Sequence, residues 1–407
     1  MPSCLSNTGV DMTIITIIFY FGLGYLSLAV AWLVLLTAAS WLFRAKTVAD
    51  APLLHLGVVI PAHNEEEGIV STITSIKKCD YPPELLKIIV IADNCSDNTA
   101  EIARAAGVCT LVRDNMDERG KGQALDWFLT SGREHYLGLA GLCFVDADVT
   151  CDVRLFRELS ASLSCPGVEV VQGFNGVANP AVNWRTALVT AAFNVFNHLR
   201  MAGNNCLFGT AMLKGLGMAF ATPVLARFGW PAHSEVEDVE FSLLLLQHNI
   251  AVHYNPAAII TSEMATTGRQ ASTQRQRWEG GRFRLAARLL PGLVAKVGKG
   301  QFRYLHALLD LLIPPLSLLV FLVIAWLFWA WLLVPEAQPV LLLLLAGLSC
   351  YVVSGQLQRR MGLKIWLYLA GAPLFVLWKL TVYGKMILQG NSTGWHRTLR
   401  STELHKK

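Results

Sequence analysis

Residues 12–43, 305–334, 340–353 and 365–388 are nearly free of charge, whereas residues 51–300 alternate apolar and polar positions as a water-exposed domain does. A single soluble core cannot accommodate that division. The whole chain of 407 residues is 53% hydrophobic and only 15% charged, against roughly a quarter charged in an average soluble protein. Part of it therefore belongs in lipid. There the backbone must satisfy its own hydrogen bonds, which favours helices of about 20 residues. The middle stretch, about 250 residues, has the length of one large α/β domain.

The first apolar run is too long for a secretory signal. Its amino-terminal flank is poor in Lys and Arg, and no small-residue cleavage site precedes Arg44, so it reads as a retained membrane helix. Residues 1–11 carry no Lys or Arg, while Arg44 and Lys46 follow the run directly, and the positive-inside rule predicts a cytoplasmic middle domain. Nine cysteines (4, 79, 95, 109, 143, 151, 165, 206 and 350) show no metal-type or CxxC spacing. In a reducing compartment they read as packing thiols.

The carboxy-terminal third, 305–388, reads as a membrane region. Asp310 and Pro314-Pro315 near the start of residues 305–334 predict a short interfacial piece followed by a span beginning near Pro315. The run at 340–353 is short but extends to Gln358. Residues 358–364 and the basic tail at 389–407 both favour the cytoplasm, and a single crossing by 365–388 would put them on opposite sides. That segment is interrupted at Gly371-Ala-Pro373 and carries Lys379 and Lys385, which predicts a re-entrant or interfacial element and a total of three or four spans.

Within the middle domain, residues 56–60 (LGVVI) and 86–92 (LKIIVIA) are β-branched, non-alternating runs separated by a helix-like segment at 66–77. This is the pattern of a βαβ unit with buried parallel strands. Residues 142–145 (LCFV) repeat it. All three runs end in acidic loops, and in doubly wound sheets ligands bind beyond the carboxyl ends of the strands. Each loop also has a plainer reading: Asn64, Glu65 or Asp97 could cap a following helix, and acidic turns at strand ends are common. No GxGxxG follows the first strand and no GxxxxGK[ST] occurs, which argues against nicotinamide enzymes and P-loop NTPases. The net charge of +5 comes from basic residues clustered beside the membrane segments, where anionic headgroups account for them and nucleic acid is not implied.

Five short motifs appear in order: PAHNEEE at 61–67, ADNCSDNT at 92–99, DAD at 146–148, EDVE at 237–240 and QRQRW at 274–278. Together they resemble a membrane-bound family-2 glycosyltransferase of the cellulose, chitin and hyaluronan synthase group. The resemblance implies an α/β, Rossmann-like nucleotide-sugar domain of GT-A type inserted between transmembrane helices. It also implies inverting, metal-dependent transfer from a UDP-sugar to a sugar-polymer or lipid acceptor. By this resemblance Ala62, Asn64, Glu65, Asp93 and Lys121 approach the nucleotide. Asp146 contacts the sugar-nucleotide, and Asp148, with Asp146, holds Mg²⁺ or Mn²⁺, suited to oxygen ligands and a phosphate partner. Asp238 is the base that takes the acceptor proton, supported by Glu237. Arg277 pairs with the diphosphate, while Gln274 and Trp278 face the acceptor.

The plainer readings stand beside these. Residues 119–122 (RGKG) read alone as a flexible basic turn. The carboxylates at 235–240 read as a helix start, and the basic, apolar segment near 279–295 reads as an interfacial helix. Gly209-Thr210-Ala211 and Gly215-Leu-Gly217 fall where the family has an acceptor-side loop, and residues 394–400 resemble a gating segment without its usual sequence. Three or four spans are a narrow scaffold for a polysaccharide channel, so an export partner is expected. Rival readings are single addition to a lipid, as by ceramide glucosyltransferases, a non-catalytic membrane subunit of an export complex, and a transporter. The last would place charges in several spans, and only Asp310 and Lys379 qualify.

Overall fold

A computed structural model describes residues 6–48, 51–234 and 236–388. The middle domain is built on eight strands: β1 (Leu56–Ala62), β2 (Leu86–Asp93), β3 (Cys109–Arg113), β4 (Gly141–Phe144), β5 (Val149–Cys151), β6 (Val170–Val177), β7 (Met218–Ala221) and β8 (Val252–Ser262). They form one mixed sheet in the order β3-β2-β1-β4-β7-β6-β8-β5. The first four positions are parallel. Ile60 pairs with Val90 and Val59 with Phe144, so β1, β2 and β4 end on the same edge. Beyond β4 the direction alternates: β7 is antiparallel to both β4 and β6, while β6 and β8 run parallel.

Successive strand residues point to opposite faces. Val58 and Ile60 pack with Ile69, Ile73, Ile76 and Phe156 on one side of the sheet, while Val59, Ile89 and Phe144 pack with Leu125, Phe128 and Phe241 on the other. Helices cover both faces, which is why the strand sequences do not alternate. The helix expected from residue 66 spans Ile69–Lys77. Residues 65–68 form a turn instead, in which the N–H groups of Gly68 and Ile69 both donate to Glu65 O.

Among the described residues, three helices are long and apolar enough to cross a membrane: Thr13–Leu42, Leu316–Leu333 and Pro335–Gln358. A fourth crossing arises only if the pair Leu363–Leu369 and Ala372–Gly384, bent by 62°, counts as one span. The bend falls at the Gly371-Ala-Pro373 interruption. Leu26, Leu33 and Leu36 of the first helix pack on Val323, Leu341 and Leu344 of the other two, while Ile17, Phe21 and Leu28 face outward. The helix Leu305–Leu312 ends before Pro314-Pro315, and the next begins at Leu316. The basic helix is longer than its sequence signal, running Gly268–Gly298 with Pro291 inside it.

The α/β domain is bolted to the apolar helices by one long element. Helix Trp184–Phe193 passes through a π-helical segment, Asn194–Leu199, into helix Arg200–Phe208. Val195 and Leu199 enter the apolar helix cluster, Asn194 Nδ2 donates to Gln356 Oε1 at 2.8 Å, and Arg200 Nε donates to Tyr351 Oη at 3.0 Å. Gly203 lies against the backbone of Leu36, where a Cβ would come within 2.5 Å of its carbonyl oxygen.

Candidate active site

The strand ends at the shared edge are joined by side chains that bond backbone. Asn64 and Asn94 adopt φ of 55° and 50°, left-handed values that asparagine tolerates better than most residues. Asn64 Oδ1 accepts from Ser96 N at 2.7 Å, Asn94 Oδ1 accepts from Asn115 N at 2.7 Å, and Glu65 N donates to Thr99 Oγ1 at 2.7 Å. Ala62 is buried at the end of β1. Asp97 does act near a helix start, accepting from Thr99 N at 3.0 Å. The cap position itself is Asn98, which makes no side-chain cap bond.

Asp93 is buried, and its Oδ1 accepts from Arg113 Nη1 at 2.7 Å and Asn94 Nδ2 at 3.1 Å. Burial pushes its carboxyl pKa up, against the opposing pull of Arg113. Arg113, the last residue of β3, also donates to Glu118 O at 2.8 Å. It therefore ties the Asp93 loop to the segment leading to Lys121. Sequence reasoning did not single out Arg113; a lone cation closing a strand beside an acidic loop was the available signal.

Residues 119–122 are not a loose turn. Gly120 has φ of 115°, open only to glycine without strain. Lys121 opens helix Lys121–Ser131, and Gly122 packs so closely that a Cβ would stand 2.4 Å from Ala232 O. The Lys121 ammonium donates to Asp146 Oδ1 at 2.6 Å and to Gly215 O at 2.7 Å, with Glu237 Oε1 at 4.0 Å. Burial alone would lower its pKa, but Asp146, Glu237 and Asp238 outweigh this and raise it.

Glu237 and Asp238 begin helix Glu237–Gln247, which is anchored by Phe241 stacked on buried Trp230 at 4.4 Å. The acidic cluster is thus a helix start, with Glu237 turned to Lys121 and Glu240 to Arg288. Burial raises Glu237 to about 7, opposed by Lys121 and reinforced by Asp238. Burial also raises Asp238, with Lys214 as the main opposing charge. One Asp238 oxygen accepts from Val239 N at 2.8 Å, and the other lies 3.6 Å from the place a Gly215 Cβ would take. The glycines at 215 and 217 have φ of 75° and 66°, and they carry this loop past the two carboxylates. Thr210, by contrast, is buried and accepts from Val252 N at 3.0 Å.

Asp146 is half-buried and Asp148 exposed, just beyond β4. Among the described residues no three His, Cys, Asp or Glu side chains converge as a closed metal site. Two neighbouring carboxylates, open to solvent, fit a hard cation that keeps positions for water and phosphate oxygens. Residues 274–278, with Gln274, Arg277 and Trp278, lie on helix Gly268–Gly298, and their side chains are outside the described residues. The segment 394–400 and Glu235 are also outside them.

A parallel half-sheet with carboxylates at its shared edge, continued by mixed strands and the Glu237–Asp238 helix, is the GT-A type fold of glycosyltransferases. Residues 52–281, more than half of the chain, match the family described as Glycosyltransferase like family 2, and the chain belongs to it. It is 27% identical over 232 residues to the probable glycosyltransferase YdaM of Bacillus subtilis, covering 56% of this chain and 54% of that protein. It is 26% identical over 273 residues to an N-acetylglucosaminyltransferase of Rhizobium meliloti, covering 61% of each. The matches thus span little more than half the length of these relatives. Among solved structures, the mannosyltransferase PcManGT of Pyrobaculum calidifontis, in complex with GDP-Man and Mn²⁺, superposes with a TM-score of 0.46 at 17% identity, over 87% of this chain and 99% of that one.

Proposed function

We propose that this glycosyltransferase is an inverting enzyme of the membrane-bound group resembling cellulose, chitin and hyaluronan synthases. It moves a sugar from a UDP-sugar to a polymer or lipid-linked acceptor at the cytoplasmic membrane face. The observation that carries the reading is the placement of Lys121, whose ammonium bonds Asp146 and stands 4.0 Å from Glu237. The carboxylates assigned to the donor and the helix bearing the assigned base meet across this one cation.

Asp146 and Asp148 would hold Mg²⁺ or Mn²⁺, which offsets the charge developing on a diphosphate leaving group. Lys121 orients Asp146 and adds positive charge beside it. Asp238 accepts the proton of the acceptor hydroxyl, and its raised pKa suits that task, because a base works best with a pKa close to the working pH. Glu237, whose pKa is also raised, stands beside Lys121 and shares that cation with Asp146. The apolar helices, with Arg44 and Lys46 after the first, support insertion with the domain in the cytoplasm.

The test is transfer by purified, detergent-solubilised protein against a panel of UDP-sugars with Mg²⁺ or Mn²⁺, with product size resolved. Asp238→Asn should lower kcat by about 10²- to 10⁴-fold while donor binding persists. Turnover that survives the substitution would remove Asp238 from the mechanism. No turnover with any donor would point instead to a non-catalytic subunit.

A further inference from the structure

Near Asp238, three cations lie close to one aromatic ring. Lys214 Nζ lies 3.7 Å from the Phe196 centroid, and the guanidinium carbons of Arg200 and Arg282 each lie 5.4 Å from it. Phe196 belongs to the π-helical segment, a type of insertion frequent at functional sites. Three carboxylates lie near the cations, and two of them, Asp310 and Asp238, act on Lys214. Asp310 stands 4.0 Å from Arg200 and accepts from Asn204, its other oxygen having no hydrogen-bond donor among the described residues. Asp238 faces Lys214 from the base side, and Glu279 is taken by Lys379. Among the described residues, both ring nitrogens of buried His306 lack a hydrogen-bond partner.

Two of the cations have structural work. Arg282 donates to the carbonyls of Asp310 and Ile313, closing the helix that precedes Pro314. Arg200 donates to Tyr351. Lys214 has no hydrogen-bond acceptor among the described residues. Burial, opposed by Asp310 and Asp238 and reinforced by Arg282 and Arg200, holds its pKa at about 8. Arg200 is buried and Lys214 and Arg282 are half-buried, and cations grouped with so little water favour an anion that joins them.

The cluster also lies where the domain meets the apolar helices. Arg200 touches Tyr351 of helix Gln338–Gln358, Gly203 abuts Leu36 of the first helix, and Arg282 holds the turn just before helix Leu316–Leu333. With these helices inserted as proposed above, the cluster stands at the level of lipid headgroups. We propose that Lys214, Arg200 and Arg282 bind the phosphate of a lipid acceptor and so hold a neighbouring hydroxyl of that lipid at Asp238.

The proposal rests on the transferase reading above. In the step, the acceptor O–H bond breaks as oxygen bonds to the anomeric carbon, and the proton passes to Asp238. The bond from that carbon to the diphosphate oxygen breaks, and its electron pair leaves with the nucleoside diphosphate. The acceptor phosphate is a handle and undergoes no change.

The experiment compares 1-decanoylglycerol with its 3-phosphate, which keeps the 2-hydroxyl beside the phosphate, and uses inorganic phosphate as a third probe. Binding to the purified full chain is measured by calorimetry beside donor kinetics. The wild type should bind the phosphorylated lipid saturably, and the neutral lipid and free phosphate at least about tenfold more weakly. Loss of one hydrogen bond to a charged group predicts a Kd raised about 10- to 100-fold in Lys214→Gln, with recovery in Lys214→Arg and little change in the donor KM. Equal binding of the neutral lipid, or an unmoved Kd in the variant, would overturn the proposal. So would free phosphate binding as tightly as the lipid, or a rise confined to the donor KM, which would give the cations to the diphosphate. If Lys214→Gln does not fold, Lys214→Met, which keeps the apolar stem against Phe196 and removes the charge, reads the same Kd. Lys214-dependent lipid binding without turnover on any UDP-sugar sinks the transferase reading and leaves the anion site standing. Turnover without that binding does the reverse.

Discussion

Gly122→Ala tests whether Lys121 is locked in place by packing. The added Cβ would lie 2.4 Å from Ala232 O and 3.3 Å from His233 Cα, where ordinary contact begins at 3.4 Å. The two backbones must therefore separate by roughly 1 Å. Neither can yield as a flexible side-chain end would. One is the first turn of helix Lys121–Ser131, and the other runs from buried Trp230 toward Glu237. Overpacking of this kind costs about 1–3 kcal/mol, a fall in melting midpoint of about 2–12 °C for a domain of this size. The separation opens between Lys121 and the carboxylates of 237 and 238, and a misplacement of about 1 Å can cost roughly 100-fold in rate. The assay is transfer kinetics at a temperature well below the melting midpoint, beside a thermal melt followed by tryptophan fluorescence. Gly107→Ala is the control: φ there is 72° with open space around the position. It should lower the midpoint by strain worth about 1 kcal/mol and leave kcat alone. A kcat that falls equally in both variants, or in neither, refutes the argument that Gly122 positions Lys121.

Two further outcomes follow from the charges at the site. Glu237 ordinarily titrates at 4.5 and is raised to about 7 by burial. Between these values the folded chain keeps a proton that the unfolded chain releases, so stability is full below about pH 4.5 and declines as pH rises through about 7. This amounts to at most about 3 kcal/mol, and Glu237→Gln should flatten that window in melts recorded from pH 5 to 8; an unchanged slope refutes the assignment. Arg113→Met strands the buried Asp93 carboxylate and should cost about 3–5 kcal/mol. Adding Asp93→Asn should restore part of the loss in a double-mutant cycle, and strictly additive losses would show that the pair is not coupled.

Much of the architecture was legible in order and spacing. The runs at 56–60, 86–92 and 142–145 were recognisable because parallel strands covered on both faces are apolar throughout, and they became β1, β2 and β4. The break at Pro314-Pro315 and the interruption at Gly371 were legible because proline and glycine act locally. Boundaries were less so: residues 65–68 form a turn, and the basic helix begins at Gly268. The mixed half of the sheet was not legible, since the partners of β5 to β8 lie far apart in the chain.

The same division holds at the site. The carboxylates at 146, 148, 237 and 238 announced themselves through an ordered set of acidic motifs. What each touches depended on distant chain segments. Lys121 reaches Asp146 and Gly215, 25 and 94 positions away, and a motif cannot state such a distance. RGKG was ambiguous because a glycine pair permits flexibility as readily as close packing, and only Ala232 at Gly122 decides between them. Arg200, Lys214 and Arg282 lie too far apart in sequence to form a pattern. The sequence determined which stretches are long and apolar enough to cross a membrane and which residue types stand at the strand ends, because those follow from local periodicity and composition. Only the tertiary structure decided that three cations meet around Phe196 and that one lysine joins two sets of carboxylates, because burial and Coulomb interaction depend on distance in space.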